Sequence, residues 1–220
     1  MRVASISHEL CWKGGCQGKP SIIVNIMSFG KAMSSDDVVL SIRRFKACSR
    51  VVFSGVDPLV DQMDVVDVIN RLQDGWEIIV ETTGGVMPDI IIRDKVSLWV
   101  VNPLVEGASL PFVYNVDALR FFVSIKNSFF EWVVGCETDL LDVKKTVHFN
   151  RIPWKRVILS PLFDDFLELD DRFDWIKKFC LEKGCIMGNP LINNLLRGER
   201  YEEQGYYKRD SGLLDSSSED

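Results

Sequence analysis

The chain has 220 residues, is 46% hydrophobic and 26% charged, and carries a net charge of −6. That length and composition fit one domain with a full-sized core. The negative field and the lack of a basic patch argue against nucleic-acid binding, and no apolar run approaches the roughly 18 residues that span a bilayer. Met1 to Leu10 has polar residues through its middle and does not read as an export signal. The expectation is an intracellular, cytoplasmic protein. On that reading Cys11, Cys16, Cys48, Cys136, Cys180 and Cys185 are expected as reduced thiols.

Residues 1–20 read as a loop or short lead-in strand. Ser21 to Met27 is a nearly continuous apolar strand of the kind covered on both faces. Ser34 to Asp37 reads as a capping box, and Val38, Ile42 and Phe45 follow on one helical face. Arg50 to Phe53 is a second strand. The turn Ser54-Gly55-Val56-Asp57 leads into a helix with Asp57 as N-cap, Pro58 at its first position and Leu59, Met63, Val66 and Ile69 as its apolar stripe. Glu77 to Val80 is a third strand, followed by Glu81-Thr82-Thr83-Gly84-Gly85.

Leu98 to Val101, Leu119 to Ile125 and Val157 to Leu159 complete the expected strands. Helices are expected over Glu131 to Lys145 and Asp170 to Lys183, the latter with Phe173, Ile176 and Cys180 inward and Gly184 as its stop. Strands alternating with helices favour parallel βαβ units. About six parallel strands are expected, too few for a closed eight-stranded barrel, so the architecture expected is an open or partial (β/α) barrel over residues 1–198. Residues 199–220 end in an acidic stretch and read as a disordered tail.

Several short motifs resemble the 7-carboxy-7-deazaguanine synthases, small radical S-adenosylmethionine (SAM) enzymes with a partial (β/α) barrel. Gly18-Lys19-Pro20-Ser21 is similar to the lead-in to the family's first strand. Ser54-Gly55-Val56-Asp57-Pro58 is similar to its Thr-Gly-Gly-Glu-Pro turn, and Glu81-Thr82-Thr83-Gly84-Gly85 to its Glu-Thr-Asn-Gly-Thr. Asn102-Pro103 stands at its Ser-Pro-Lys, and Asn189-Pro190 to Arg197-Gly198 is similar to its closing segment. The resemblance implies the partial barrel, SAM and a [4Fe–4S] cluster on a Cys-x3-Cys-x2-Cys loop after the first strand.

That loop is missing: no cysteine occurs between Gln17 and Ala47. Val56 replaces the second glycine of the SAM turn, and Leu104 replaces the lysine. Without three thiolates there is no cluster of that kind to deliver an electron to SAM. The expectation is therefore no cofactor and no catalytic residue, with Ser54, Gly55, Asp57, Glu81, Thr82, Thr83 and Gly84 as a vestigial ligand pocket.

Each feature also has a plainer reading. Glu81, Thr82 and Thr83 either bind a polar heterocycle or simply finish a strand. Asp57 is more simply a helix cap than an acid, and His8 and His148 are surface or packing residues. Cys11, Cys16, Cys180 and Cys185 form two equally spaced pairs that a zinc ion would need brought together. Asp164, Asp165, Glu168, Asp170 and Asp171 read as a solvated helix start or a cation site.

Three functions remain open on the sequence. The first is a non-catalytic protein that binds a protein partner, a second copy of itself included, with Tyr201, Tyr206 and Tyr207 as contact candidates. The second is a surviving 7-deazaguanine-forming lyase. The third is a pterin or purine binder without chemistry.

Overall fold

A computed structural model describes residues 1–11, 13–72, 74–103, 115–162 and 166–188, with the side chains of 166–171 outside the description. In chain order the strands are β1 (Arg2–Leu10), β2 (Pro20–Ile26), β3 (Lys31–Ala32), β4 (Arg50–Gly55), β5 (Glu77–Thr82), β6 (Leu98–Val101), β7 (Ser128–Val134), β8 (Val157–Pro161) and β9 (Ile186–Met187). The helices are α1 (Ser35–Arg43), α2 (Gln62–Leu72), α3 (Ile90–Arg93), α4 (Val116–Ser124), α5 (Glu137–Asn150) and α6 (Phe166–Lys183). The protein is thus an α/β fold with a mostly parallel sheet.

The nine strands form one sheet in the order β3-β1-β2-β4-β5-β6-β7-β8-β9. From β2 onward every neighbouring pair is parallel, while β1 runs antiparallel to both β2 and β3. Parallel neighbours in chain order need a crossover between them, and the helices supply it. Side chains alternate across the pleat, so β2, β4, β5 and β6 each feed two clusters. Ile22, Val24, Val51, Phe53, Ile78, Val80, Trp99, Val101, Phe130 and Leu159 pack with the helices in the larger one. Ile23, Val52, Ile79 and Val100 point to the opposite face, where Cys11 and Cys16 cover them.

Five expected strands are present: those at 21–27, 50–53, 77–80, 98–101 and 157–159. Leu119 to Ile125 is not a strand. Asn115 caps α4 there, its side chain accepting from the N–H groups of Asp117 and Ala118. Ala118, Leu119 and Phe122 are buried at helical spacing, and their packing on the sheet overrides the β preference of a Phe-Phe-Val run. The expected helix from Glu131 begins later. Glu131 belongs to β7, and Gly135 ends that strand where its N–H and that of Cys136 donate to the Asp139 carboxylate at the start of α5. With β7 and β9 added, the parallel strands number seven, not six.

The lead-in is a full nine-residue strand, β1. Met63 and Phe173, expected inward, are exposed, and Val65, Val68 and Leu72 fill the α2 face in place of Met63. In the box at α1, Ser34 Oγ accepts from Asp37 N at 3.2 Å, and the Asp37 carboxylate takes the Ser34 hydroxyl at 2.7 Å in place of its N–H. Gly184, at φ 68°, stops α6, and the N–H groups of Gly184 and Cys185 both bond the Cys180 carbonyl. Among the described residues no helix is long and apolar enough to cross a membrane. The acidic group at 164–171, Leu104, the closing segment from Asn189 and the tail at 199–220 lie outside the described residues or side chains.

Candidate functional site

The sheet places β4 beside β5 in parallel, so their carboxyl ends meet. Ser54, Gly55 and Asp57 leave one end, and Glu81, Thr82, Thr83 and Gly84 the other. The seven residues named from the sequence are therefore brought together at these two neighbouring strand ends.

They are also one another's partners. Asp57 is 2% exposed. Its Oδ1 accepts from Leu59 N at 3.0 Å, and its Oδ2 accepts from Thr82 Oγ1, Thr83 N and Thr83 Oγ1 at 2.9, 3.1 and 2.7 Å. The N-cap expected of Asp57 is thus a turn cap, because α2 starts only at Gln62. Its larger role is to clasp the β4 and β5 loops together. Thr82 Oγ1 accepts from Gly84 N, and Gly84 takes the left-handed φ of 75° that closes the turn.

Ser54 and Glu81 point to the face away from the helices. The Ser54 hydroxyl donates to Glu81 Oε2 at 2.6 Å, and Lys13 Nζ reaches the same oxygen at 3.1 Å. Lys13 comes from the segment between β1 and β2, which folds back over this face. Gly14, next along, donates its N–H to Glu131 Oε2 at 3.0 Å, and the Ser160 hydroxyl donates to Glu131 Oε1 at 2.8 Å. Gly14 has φ 57°, and a Cβ there would collide with the Val100 side chain. Burial pushes the Glu131 carboxyl above its ordinary range, against the pull of the Lys13 ammonium and the two hydrogen bonds.

Glu131, Ser160, Lys13 and Gly14 were not singled out by the sequence reading. Glu131 was placed at a helix start, where an acid is unremarkable. The available signal was the run Ser128 to Val134, a β-rich stretch with one carboxylate in the middle.

The remaining candidates separate. Cys11 and Cys16 are joined in a disulfide, so the reduced thiols expected there are corrected; both are 1% exposed in the small cluster. Cys180 and Cys185 belong to the helix side of the sheet, so the two pairs do not converge on one zinc ion. The Cys180 thiol is pushed up by its hydrogen bond with Cys185 and by burial, and the Cys185 thiol is lowered by the same bond. Among the described residues no three His, Cys, Asp or Glu side chains group to hold a metal. His8 lies against Phe45, with ring centroids 5.6 Å apart.

The turn from β2 to α1 is sealed onto β1. Met27 N donates to the Arg2 carbonyl, Gly30 N to the Met27 carbonyl, and Arg2 Nη1 to the Gly30 carbonyl. A Cβ on Gly30 would strike the Val3 backbone, and one on Gly55, at φ 124°, would strike the Ile26 carbonyl. Val56 N donates to that same carbonyl at 3.1 Å.

Against this geometry, the chain matches no protein-family model and no curated protein.

Proposed function

We propose that the chain is a non-catalytic protein on a partial (β/α) barrel of radical-SAM type, similar to the 7-carboxy-7-deazaguanine synthases, and that it serves as a protein-binding or scaffold subunit in the cytoplasm. The seven consecutive parallel strands are compatible with that architecture.

One observation carries the reading. The β2–α1 turn, where the family would hold its cluster, contains Ser28, Phe29, Gly30, Lys31, Ala32 and Met33, and the Arg2 carbonyl and guanidinium tie it to β1 through Met27 N and the Gly30 carbonyl. It offers no thiolate, so a [4Fe–4S] cluster of the family's kind does not fit these residues. Val56 puts a branched side chain where close backbone approach to SAM would be needed. The polar residues that remain are spent on one another: Asp57 on the threonines, Glu81 on Ser54 and Lys13, and Glu131 on Gly14 and Ser160.

Anaerobic iron–sulfur reconstitution tests this. The expected product is colourless protein that leaves SAM intact. A stoichiometric cluster that cleaves SAM would overturn the reading.

A second reading is favoured by the buried Glu81 and Glu131 on one face. A pterin or purine that displaced Lys13 would find two carboxylates for its ring N–H groups. It predicts a thermal shift with such ligands that Glu81→Ala removes.

A further inference from the structure

The turn that ends α6 brings two sulfurs together. Gly184, at φ 68°, reverses the chain after Lys183, and the N–H groups of Gly184 and Cys185 both bond the Cys180 carbonyl, at 2.8 and 3.2 Å. A bond from Cys185 N back to the Cys180 carbonyl closes a common helix-ending turn, and in that turn the side chains at these two positions touch. The contact is ordinarily apolar, but here both positions are cysteine. Both are free thiols packed in or against the larger core cluster, and their sulfurs are hydrogen-bonded to each other. Their surroundings differ. Cys180 is 6% exposed, whereas Cys185 is half-buried. The shared bond lowers the Cys185 thiol toward its reactive thiolate form and, with burial, raises the Cys180 thiol.

We infer that Cys180 and Cys185 are a redox-active dithiol, oxidised to an intramolecular disulfide by a low-molecular-weight disulfide such as oxidised glutathione. The Cys185 thiolate attacks one sulfur of that molecule, forming a mixed disulfide and releasing the first small thiolate, which takes up the proton that Cys185 lost. The Cys180 thiol then gives up its proton and its sulfur attacks the Cys185 sulfur, and the second small thiol leaves with that proton. Two protein thiols are oxidised, one small disulfide is reduced to two thiols, and no other reactant is consumed. The turn keeps the Cys180 sulfur against Cys185, so the mixed disulfide resolves within the chain. The other cysteines do not compete for it. Cys136 follows the carboxyl end of β7, whereas Cys185 precedes the amino end of β9, and these strands run parallel, so the two lie at opposite ends of the sheet. Cys48 Sγ donates to the Pro20 and Arg50 carbonyls at the start of β4. Cys11 and Cys16 are already joined on the other face. The plainer role for the pair is to fill an apolar contact as two small hydrophobic side chains, and it predicts no coupling between their reactions. The inference stands apart from the protein-binding reading, since neither a partner nor iron enters its test.

The full chain is incubated with oxidised glutathione at about 1–5 mM, its remaining thiols are alkylated after acid quenching and denaturation, and the products are mapped by mass spectrometry. In the wild type the alkylated forms of Cys180 and Cys185 should disappear together. Trypsin cuts after Lys183, between the two cysteines, so a non-reducing digest should yield their two peptides as one crosslinked species. Cys180→Ser removes the resolving thiol and should stop at a glutathione adduct on Cys185. Cys185→Ser should leave Cys180 reacting at least about tenfold more slowly than Cys185 does in Cys180→Ser. A wild type that keeps both thiols, or that joins either to a different cysteine, overturns the inference. So does a Cys185→Ser variant whose Cys180 reacts as fast as Cys185 does in Cys180→Ser.

Discussion

Gly14 and Glu131 are 117 residues apart in the chain, and the N–H of one donates to the carboxylate of the other at 3.0 Å. The bond pins the β1–β2 segment to the middle of β7. It also sets the first prediction. Burial raises the Glu131 carboxyl, so ionising it costs more in the folded chain than in the unfolded one. Its contribution to stability is complete below the unfolded value, about 4.3, and is lost as pH rises through the higher folded value. Glu131→Gln keeps an acceptor for Gly14 and a group for Ser160 without the charge. The stability difference between wild type and variant should therefore shift toward the variant as pH rises through that window, read from denaturant midpoints between about pH 4 and 8. A difference that does not change with pH contradicts it.

Lys13 tests the other half of the same face. Its ammonium meets a Glu81 side chain that is only 6% exposed. Lys13→Met strands that carboxylate with Ser54 alone and should cost about 1–3 kcal/mol. Adding Glu81→Gln should recover part of the loss, and a double-mutant cycle should give a coupling of about 1 kcal/mol or more. Additive losses would mean that the contact carries no energy.

Asp57 holds two loops through four accepted hydrogen bonds. Asp57→Ala leaves those donors without their acceptor and should destabilise by about 3 kcal/mol or more. Thr83→Val removes one of them and should cost about 1 kcal/mol. Thermal melts of the two variants check the ranking. The reverse order would mean that the clasp is not what holds the turn.

Val56→Gly restores the glycine of the SAM turn without restoring the thiolates. Titration calorimetry should detect no SAM binding tighter than about 1 mM in either the variant or the wild type. Tight binding in the variant would mean that the side chain at Val56 alone had closed the pocket.

Much of this was readable from the residues. The apolar runs at Ser21, Arg50, Glu77 and Leu98 read as strands and are strands, and the turns after two of them brought the seven named residues together. What was not readable came from distance in the chain. Leu119 to Ile125 has strand-forming residues, yet the cap at Asn115 and the packing of Ala118, Leu119 and Phe122 make it helix. That one error moved Glu131 off the sheet and hid the second buried carboxylate. Lys13 and Gly14 had no local signal, because their partners lie on β5 and β7. The Cys11–Cys16 bond was hidden by the assumption of a reducing compartment.

The central claim is that the turn from Met27 to Ser34 holds no cluster. Iron per chain after anaerobic reconstitution and desalting measures it directly. The account predicts less than about 0.1 iron per chain and no charge-transfer absorbance. About four irons per chain, with 5′-deoxyadenosine released from SAM, would contradict it.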